Sequence, residues 1–245
     1  MTTPETTPET APALFHLGYV KTATTFLQRQ VFSRAELGLA LGGGALSREH
    51  LVAGLVLADD YVFDAQALGR RLAELEAPQR AAGLLPVWSE EVLLGDPLAN
   101  RYDGPANLRR LAQAVPQARV LITIREQRAL TLSFLRELAK QGSAAPLRDV
   151  IGTGAEAPAF SPLLRPDFLR FERAVGFCQA LFGAANVLVL PQEMLRADPQ
   201  AYFARLGEFL GRALPVPAAG GRADNRGRGM TAVAVTRALN RLVRR

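Results

Sequence analysis

Four short apolar runs stand out along the chain: Leu14 to Leu17, Leu84 to Trp88, Arg119 to Ile124 and Asn186 to Leu190. Continuous runs of this length predict buried strands of a parallel sheet covered on both faces. Pro86 lacks an N–H for a ladder, so the second strand is expected to start there. Helical periodicity lies between the runs. From Asn107 to Val115, residues Leu108, Leu111, Ala112 and Val115 share one face. From Phe168 to Phe182 a broad apolar stripe ends at Gly183, a C′ residue. Asp198-Pro199 reads as a cap followed by proline at the first helical position. Tyr202, Phe203, Leu206, Phe209 and Leu210 follow on one face, and Gly211 closes that helix. The alternation of strands and helices predicts an α/β fold, a parallel β-sheet flanked by helices. Between Gly142 and Arg165 the chain is rich in Pro, Ala and Gly and reads as a mobile surface segment, a lid.

The N-terminus repeats Thr-Thr-Pro-Glu-Thr and has neither a basic start nor an apolar core. It is no secretory signal, and its composition buries too little to order itself. The expected organisation is a disordered tail over 1–13 and one domain over 14–245. The longest apolar run, Leu51 to Ala58, is far too short to span a bilayer. A cytoplasmic protein is the expectation.

Charge narrows the ligand. The formal net charge is +6, which favours a polyanion but does not choose between nucleic acid, nucleotide and acidic glycan. Of the 29 basic residues only Lys21 and Lys140 are lysines. Lys21 therefore stands apart, because an ammonium is a point charge and a guanidinium a planar fork. A single cysteine, Cys178, excludes an internal disulfide and a cysteine cluster, and reads as a buried structural thiol. With only His16 and His50 as histidines, no metal site is expected.

The most informative stretch is HLGYVKTATTFLQ, residues 16–28. A strand ends, the chain turns at Gly18, Lys21 follows, and a helix begins near Thr24. An ATPase phosphate loop needs Gly-Lys followed by Ser or Thr. Here Val20 precedes Lys21, so the magnesium-binding pattern is absent. The anion logic survives. Backbone N–H groups at a helix start can hold an anion, Thr22, Thr24 and Thr25 add hydroxyls, and Lys21 adds charge.

This stretch resembles the 5′-phosphosulfate loop of sulfotransferases that use 3′-phosphoadenosine 5′-phosphosulfate, PAPS. That family places Gly-x-x-Lys-x-Gly-Thr-Thr after its first strand, and Ala23 stands here in place of the second glycine. The resemblance implies a P-loop-NTPase-like sulfotransferase fold. It also implies PAPS as co-substrate, no metal, and a phosphosulfate site made of Gly18, Lys21, Thr22, Ala23, Thr24 and Thr25.

Two further segments resemble the same family. In VLITIREQRALTLSF, Arg125 closes a strand and Ser133 lies eight residues on, in a helix. The family holds the 3′-phosphate with an Arg and a Ser at this spacing. The fork meets a phosphate bidentately and the helix hydroxyl reaches the same group. Arg128 reads as a solvated helix residue. Near the C-terminus ADNRGRGM is basic and glycine-rich, and Arg226, Gly227 and Arg228 match the family loop that closes over the nucleotide. A flexible basic linker is the other reading. The segment VLVLPQEMLRADP is similar to the family's strand, acidic residue and helix.

Sulfuryl transfer builds negative charge on the departing phosphate oxygen, which Lys21 is placed to stabilise. A hydroxyl acceptor also needs a general base. The family resemblance and the strand-end position favour Glu90 in PVWSEEVLL, with Glu91 second and His50 third. His16 reads as structural. The function so implied is transfer of a sulfuryl group to a hydroxyl or amine of an unidentified glycan, lipid or small metabolite. The alternatives are a phosphate-loop kinase or other phosphotransferase, and a non-catalytic nucleotide binder of the same fold. A nucleic-acid module lacks support from aromatic-basic interleaving. Acceptor contacts are expected from Gly38 to Ala82 and Gly142 to Arg165.

Overall fold

The computed structural model describes residues 11–145, 147–153, 155–157, 162–217 and 240. Five strands form one all-parallel sheet: β1 (Leu14–His16), β2 (Leu39–Leu41), β3 (Leu85–Ser89), β4 (Arg119–Ile124) and β5 (Val187–Pro191). Their order is β2-β3-β1-β4-β5. The helices are α1 (Thr24–Leu27), α2 (Ser47–Leu51), α3 (Ala65–Ala81), α4 (Gly104–Ala114), α5 (Gln127–Lys140), α6 (Leu147–Val150), α7 (Phe171–Phe182), α8 (Gln192–Ala197) and α9 (Pro199–Leu210). Helix α1 runs straight into a π-turn, Gln28–Phe32.

Side chains alternate between the two faces of each strand, and each face has its own core. Phe15, Trp88, Val120 and Ile122 pack with Leu72 of α3, Leu111 of α4, Phe134 of α5 and Cys178 of α7. On the other face Leu14, Val87 and Leu121 pack with Leu27 of α1 and with Tyr202, Phe203 and Leu206 of α9. Cys178 is buried and unpaired, and burial pushes its thiol up to about 12.

The four expected strands are present, with β4 spanning the expected residues and the others within a residue or so at each end. Strand β3 already begins at Leu85, whose N–H donates to Gly38 O at 2.8 Å. Alternate residues of a strand face opposite neighbours, so Pro86 turns its missing donor towards β1. That ladder starts only at Leu14 opposite Val87, and no rung is lost. The fifth strand, β2, and the long α3 were not expected. Asp198 caps α9 through Ala201 N–H, and Gly211 ends it with φ 69°.

Residues 1–10 of the expected tail lie outside the described residues; next to β1, Ala11 and Ala13 are buried, and Ala11 O accepts from Arg80 Nη1 at 2.7 Å. One expectation is corrected. The segment from Gly142 to Arg165 is not a free surface strap over its described part. Val150 and Leu164 are both buried, Leu164 N–H donates to Val150 O at 2.8 Å, and Tyr102 donates its hydroxyl to Leu163 O. Among the described residues no helix is long and apolar enough to cross a membrane.

The strand order puts the topological switch at β1, because the chain runs from β1 out to β2 and then crosses back past β1 between β3 and β4. Ligands of open α/β sheets bind beyond the C-terminal strand ends at such a switch. The residues that follow β1, β3 and β4 are the loop 17–23, the Glu90–Glu91 pair and Arg125.

Candidate active site

Beyond β1 the chain stays beside β4: Leu17 N–H donates to Leu121 O at 2.8 Å and Tyr19 N–H to Thr123 O at 3.0 Å. Gly18 is required by packing. A Cβ there would lie 2.2 Å from Thr24 Cγ2 and 2.7 Å from Thr123 Oγ1, distances no side chain adopts. The Tyr19 ring packs among Phe168 and Phe171, and its burial raises the phenol pKa.

Lys21 and Ala23 both have φ 67°, the left-handed region. Turning the backbone this way at alternate positions lets successive N–H groups converge on a concavity suited to an anion. Two loop carbonyls are tied elsewhere. Tyr19 O accepts from Thr22 Oγ1 at 2.6 Å, and Lys21 O from Arg125 Nη1 at 3.1 Å. In a trans peptide the N–H points opposite to the carbonyl, so the N–H groups of Val20 and Thr22 are turned away from those ties. The expected helix start at Thr24 is present, but α1 is a single turn. It continues into the π-turn Gln28–Phe32, and the turned loop before it has the shape suited to an anion.

Lys21 Nζ donates to Glu137 Oε2 at 2.8 Å, and this bond, ahead of other causes, holds the Glu137 carboxyl below the usual range. Glu137 was not among the candidates. It lies on α5 four residues after Ser133, hence on the same helix face, and that i,i+4 spacing was the readable signal. Arg125 is half-buried. Burial lowers its pKa, and the nearby Arg196 and Arg136 guanidinium groups add to the effect. Arg136 Nε is buried and makes no hydrogen bond among the described residues. Lys21, Arg125 and Glu137 are thus gathered at the loop, the guanidinium groups of Arg136 and Arg196 lie near Arg125, and Ser133 shares the α5 face of Glu137.

The two adjacent carboxylates point to different places. Glu90 is buried, 1% exposed, and both its oxygens accept from Arg48 Nη1, at 2.7 and 2.6 Å. Burial raises its pKa and Arg48 opposes that shift. Glu91 accepts from the hydroxyl of Thr24 and so reaches the first turn of α1 directly. Thr25, in the same turn, is exposed. His50 lies against Gly43, beside Trp88. Arg226, Gly227 and Arg228 lie outside the described residues. Among the described residues no group of three or more His, Cys, Asp or Glu is placed to hold a metal.

The architecture matches solved structures. A sulfotransferase from Alicyclobacillus acidocaldarius superposes with a TM-score of 0.57 at 18% identity, over 96% of each chain. The chain has the sulfotransferase fold. The sulfotransferase domain from the curacin biosynthetic pathway matches with a TM-score of 0.53 at 14% identity, over 91% of this chain and 82% of that one. The sulfotransferase domain of the Synechococcus PCC 7002 olefin synthase matches with a TM-score of 0.51 at 18% identity, over 90% and 82%. No protein-family model matches the sequence, and no curated protein does. In this fold the loop after β1 and the residues that follow β3 and β4 lie together at the C-terminal edge of the sheet, at its topological switch.

Proposed function

We propose that this protein is a PAPS-dependent sulfotransferase, built as one domain over 14–245. The observation that carries the reading is the convergence of three strand ends. The left-handed loop with Lys21 leaves β1, a carboxylate pair leaves β3, and Arg125 leaves β4, bonded to the loop carbonyl of Lys21. The sulfotransferase fold supports it.

In this reading the N–H groups of the 18–25 loop, with Thr22, Thr24 and Thr25, hold the phosphosulfate. Arg125 and Ser133 hold the 3′-phosphate, with Arg226, Gly227 and Arg228 closing over it. The acceptor oxygen or nitrogen attacks sulfur as the bond from sulfur to the 5′-phosphate oxygen breaks. Lys21 leaves Glu137 and meets the charge that develops on that oxygen. The acceptor proton passes to a carboxylate after β3. Glu91 takes this role ahead of Glu90, since it touches the loop helix while Glu90 is occupied by Arg48. The acceptor is a hydroxyl or amine of a glycan, lipid or small metabolite.

Thermal denaturation against a nucleotide panel tests the reading. A ligand at one hundred times its Kd stabilises by about 2.7 kcal/mol. Adenosine 3′,5′-bisphosphate should raise the melting temperature well above any effect of ATP with magnesium. The reverse order would point to a phosphotransferase, and no shift with any nucleotide would remove the proposal.

A further inference from the structure

Three polar side chains interrupt the apolar interior near the C-terminal ends of adjacent strands, His16 level with Ser89 and Thr123 two residues beyond Leu121, the β4 residue paired with His16. They are Ser89 in β3, His16 in β1 and Thr123 in β4, and all are buried. His16 Nδ1 lies 2.7 Å from Ser89 Oγ, and its Nε2 lies 3.0 Å from Thr123 Oγ1. Thr123 Oγ1 lies 2.8 Å from Thr22 Oγ1. At the other end Gln28 Nε2 donates to Ser89 Oγ at 3.1 Å. The run crosses three strands and ends in the loop.

Counting protons fixes its direction. A hydroxyl has one proton to donate. Thr22 gives its proton to Tyr19 O, so Thr123 must donate to Thr22. Thr123 then accepts from His16 Nε2–H. The opposite ring nitrogen, Nδ1, accepts from Ser89, which accepts in turn from Gln28. The links beyond Nε2 require a proton there, and burial keeps the ring neutral, which leaves Nδ1 as the acceptor from Ser89. The Phe32 ring also lies edge-on to it, at 5.1 Å between ring centroids, and brings no charge.

We propose that His16 is a positioning residue for the loop Tyr19 to Ala23: through Thr123 and Thr22 it holds the Tyr19 carbonyl inward, so that the Val20 N–H faces the anion. The proposal rests on the reading of this loop as the phosphosulfate site. A peptide free to turn would present its carbonyl oxygen there instead and repel the ligand. The loop backbone is pressed onto this run, since a Cβ at Gly18 would also lie 3.1 Å from His16 Nε2.

The test cuts the run away from the loop. Thr123→Val keeps the shape and removes the hydroxyl, whereas Thr123→Ser restores it. Ser89→Ala cuts the far side of His16 and serves alone if Thr123→Val does not fold. The full chain is titrated with adenosine 3′,5′-bisphosphate by calorimetry, at a temperature where circular dichroism shows every variant folded. Nitrogen NMR of His16 reads its tautomer. The parent should show the Nε2–H form. Thr123→Val should bind about tenfold more weakly, the loss of one hydrogen bond, and Thr123→Ser should bind within about threefold of the parent. Ser89→Ala should weaken binding and disturb the tautomer. Parent-like affinity in both Thr123→Val and Ser89→Ala, or the Nδ1–H form in the parent, overturns the proposal and leaves the sulfotransferase reading intact. If the parent ignores the bisphosphate, that reading fails, and inorganic pyrophosphate becomes the probe. Weaker pyrophosphate binding by Thr123→Val then supports the positioning role, and equal or absent binding overturns it.

Discussion

Lys21 and Glu137 are partners across 116 residues of chain, joined Nζ to Oε2 at 2.8 Å, with Lys140 at 3.3 Å from the same oxygen. Under the proposed reading the nucleotide must displace this internal carboxylate. Glu137→Gln should therefore bind adenosine 3′,5′-bisphosphate about threefold more tightly, in keeping with a partly buried ion pair. Lys21→Ala should lower turnover by about 10²–10³-fold while changing bisphosphate affinity less. Calorimetry and a sulfated-product assay measure the two effects. Unchanged turnover in Lys21→Ala would remove it from the chemistry.

Arg125 should discriminate between nucleotides. Losing one charge-assisted contact costs about 1.5–3 kcal/mol. Arg125→Ala should lose that much towards PAPS and far less towards adenosine 5′-phosphosulfate, which lacks the 3′-phosphate. Equal losses for the two ligands would place the guanidinium elsewhere.

The carboxylate pair separates by substitution. Glu91→Gln should lower turnover by about 10²–10⁴-fold if it is the base, with nucleotide affinity close to the parent's. Glu90→Gln should act chiefly on stability, because it unpairs Arg48 from a buried partner. A collapse of turnover in Glu90→Gln with Glu91→Gln active would return the base role to Glu90.

Ala23 holds a left-handed conformation at φ 67° that a Cβ disfavours. Ala23→Gly should stabilise the protein by about 1 kcal/mol, read as a higher urea midpoint with an unchanged slope. A lower midpoint would mean that the alanine methyl packs to greater benefit than its backbone costs.

His16 contributes to the acid limb of stability. Burial lowers its pKa from 6.5 to about 3. Between those values the unfolded chain binds a proton that the folded one refuses, so stability rises with pH across this window and is fully present above it. On acidification the loss from His16 approaches about 1.4 kcal/mol per pH unit. His16→Asn should flatten that limb in urea titrations from pH 6.5 to 4. An unchanged slope would show that His16 is charged in the native state.

Much of this architecture was legible because long apolar runs leave few alternatives. Arg119 to Ile124 could only be a buried strand. Strand β2 was not legible: its three residues, Leu39–Leu41, are too few for periodicity and take their form from the ladder with β3, where Leu85 N–H donates to Gly38 O and Gly42 N–H to Val87 O. Helix α3 was missed because its surface is polar and Pro78 lies inside it. At the site, the loop and the Arg125–Ser133 spacing were readable, since both are local. The division between Glu90 and Glu91 was not, because it depends on which face of β3 each side chain leaves by. His16, Ser89 and Thr123 did carry a signal: each is a polar residue at a buried strand position. Their union needed the register, which sets His16 beside Ser89.

The sheet order has an evolutionary reading. Under the proposed reading the nucleotide machinery hangs from the three interior strands β3, β1 and β4, while β2 is a margin. The stretch that leaves β2 carries Arg48 to Glu90 and lays His50 against Gly43. Insertions and replacements there leave every rung of β3, β1 and β4 untouched. A lineage can rewrite what approaches the carboxylates from that side while inheriting the donor site unchanged, so novelty and constancy are kept on separate strands.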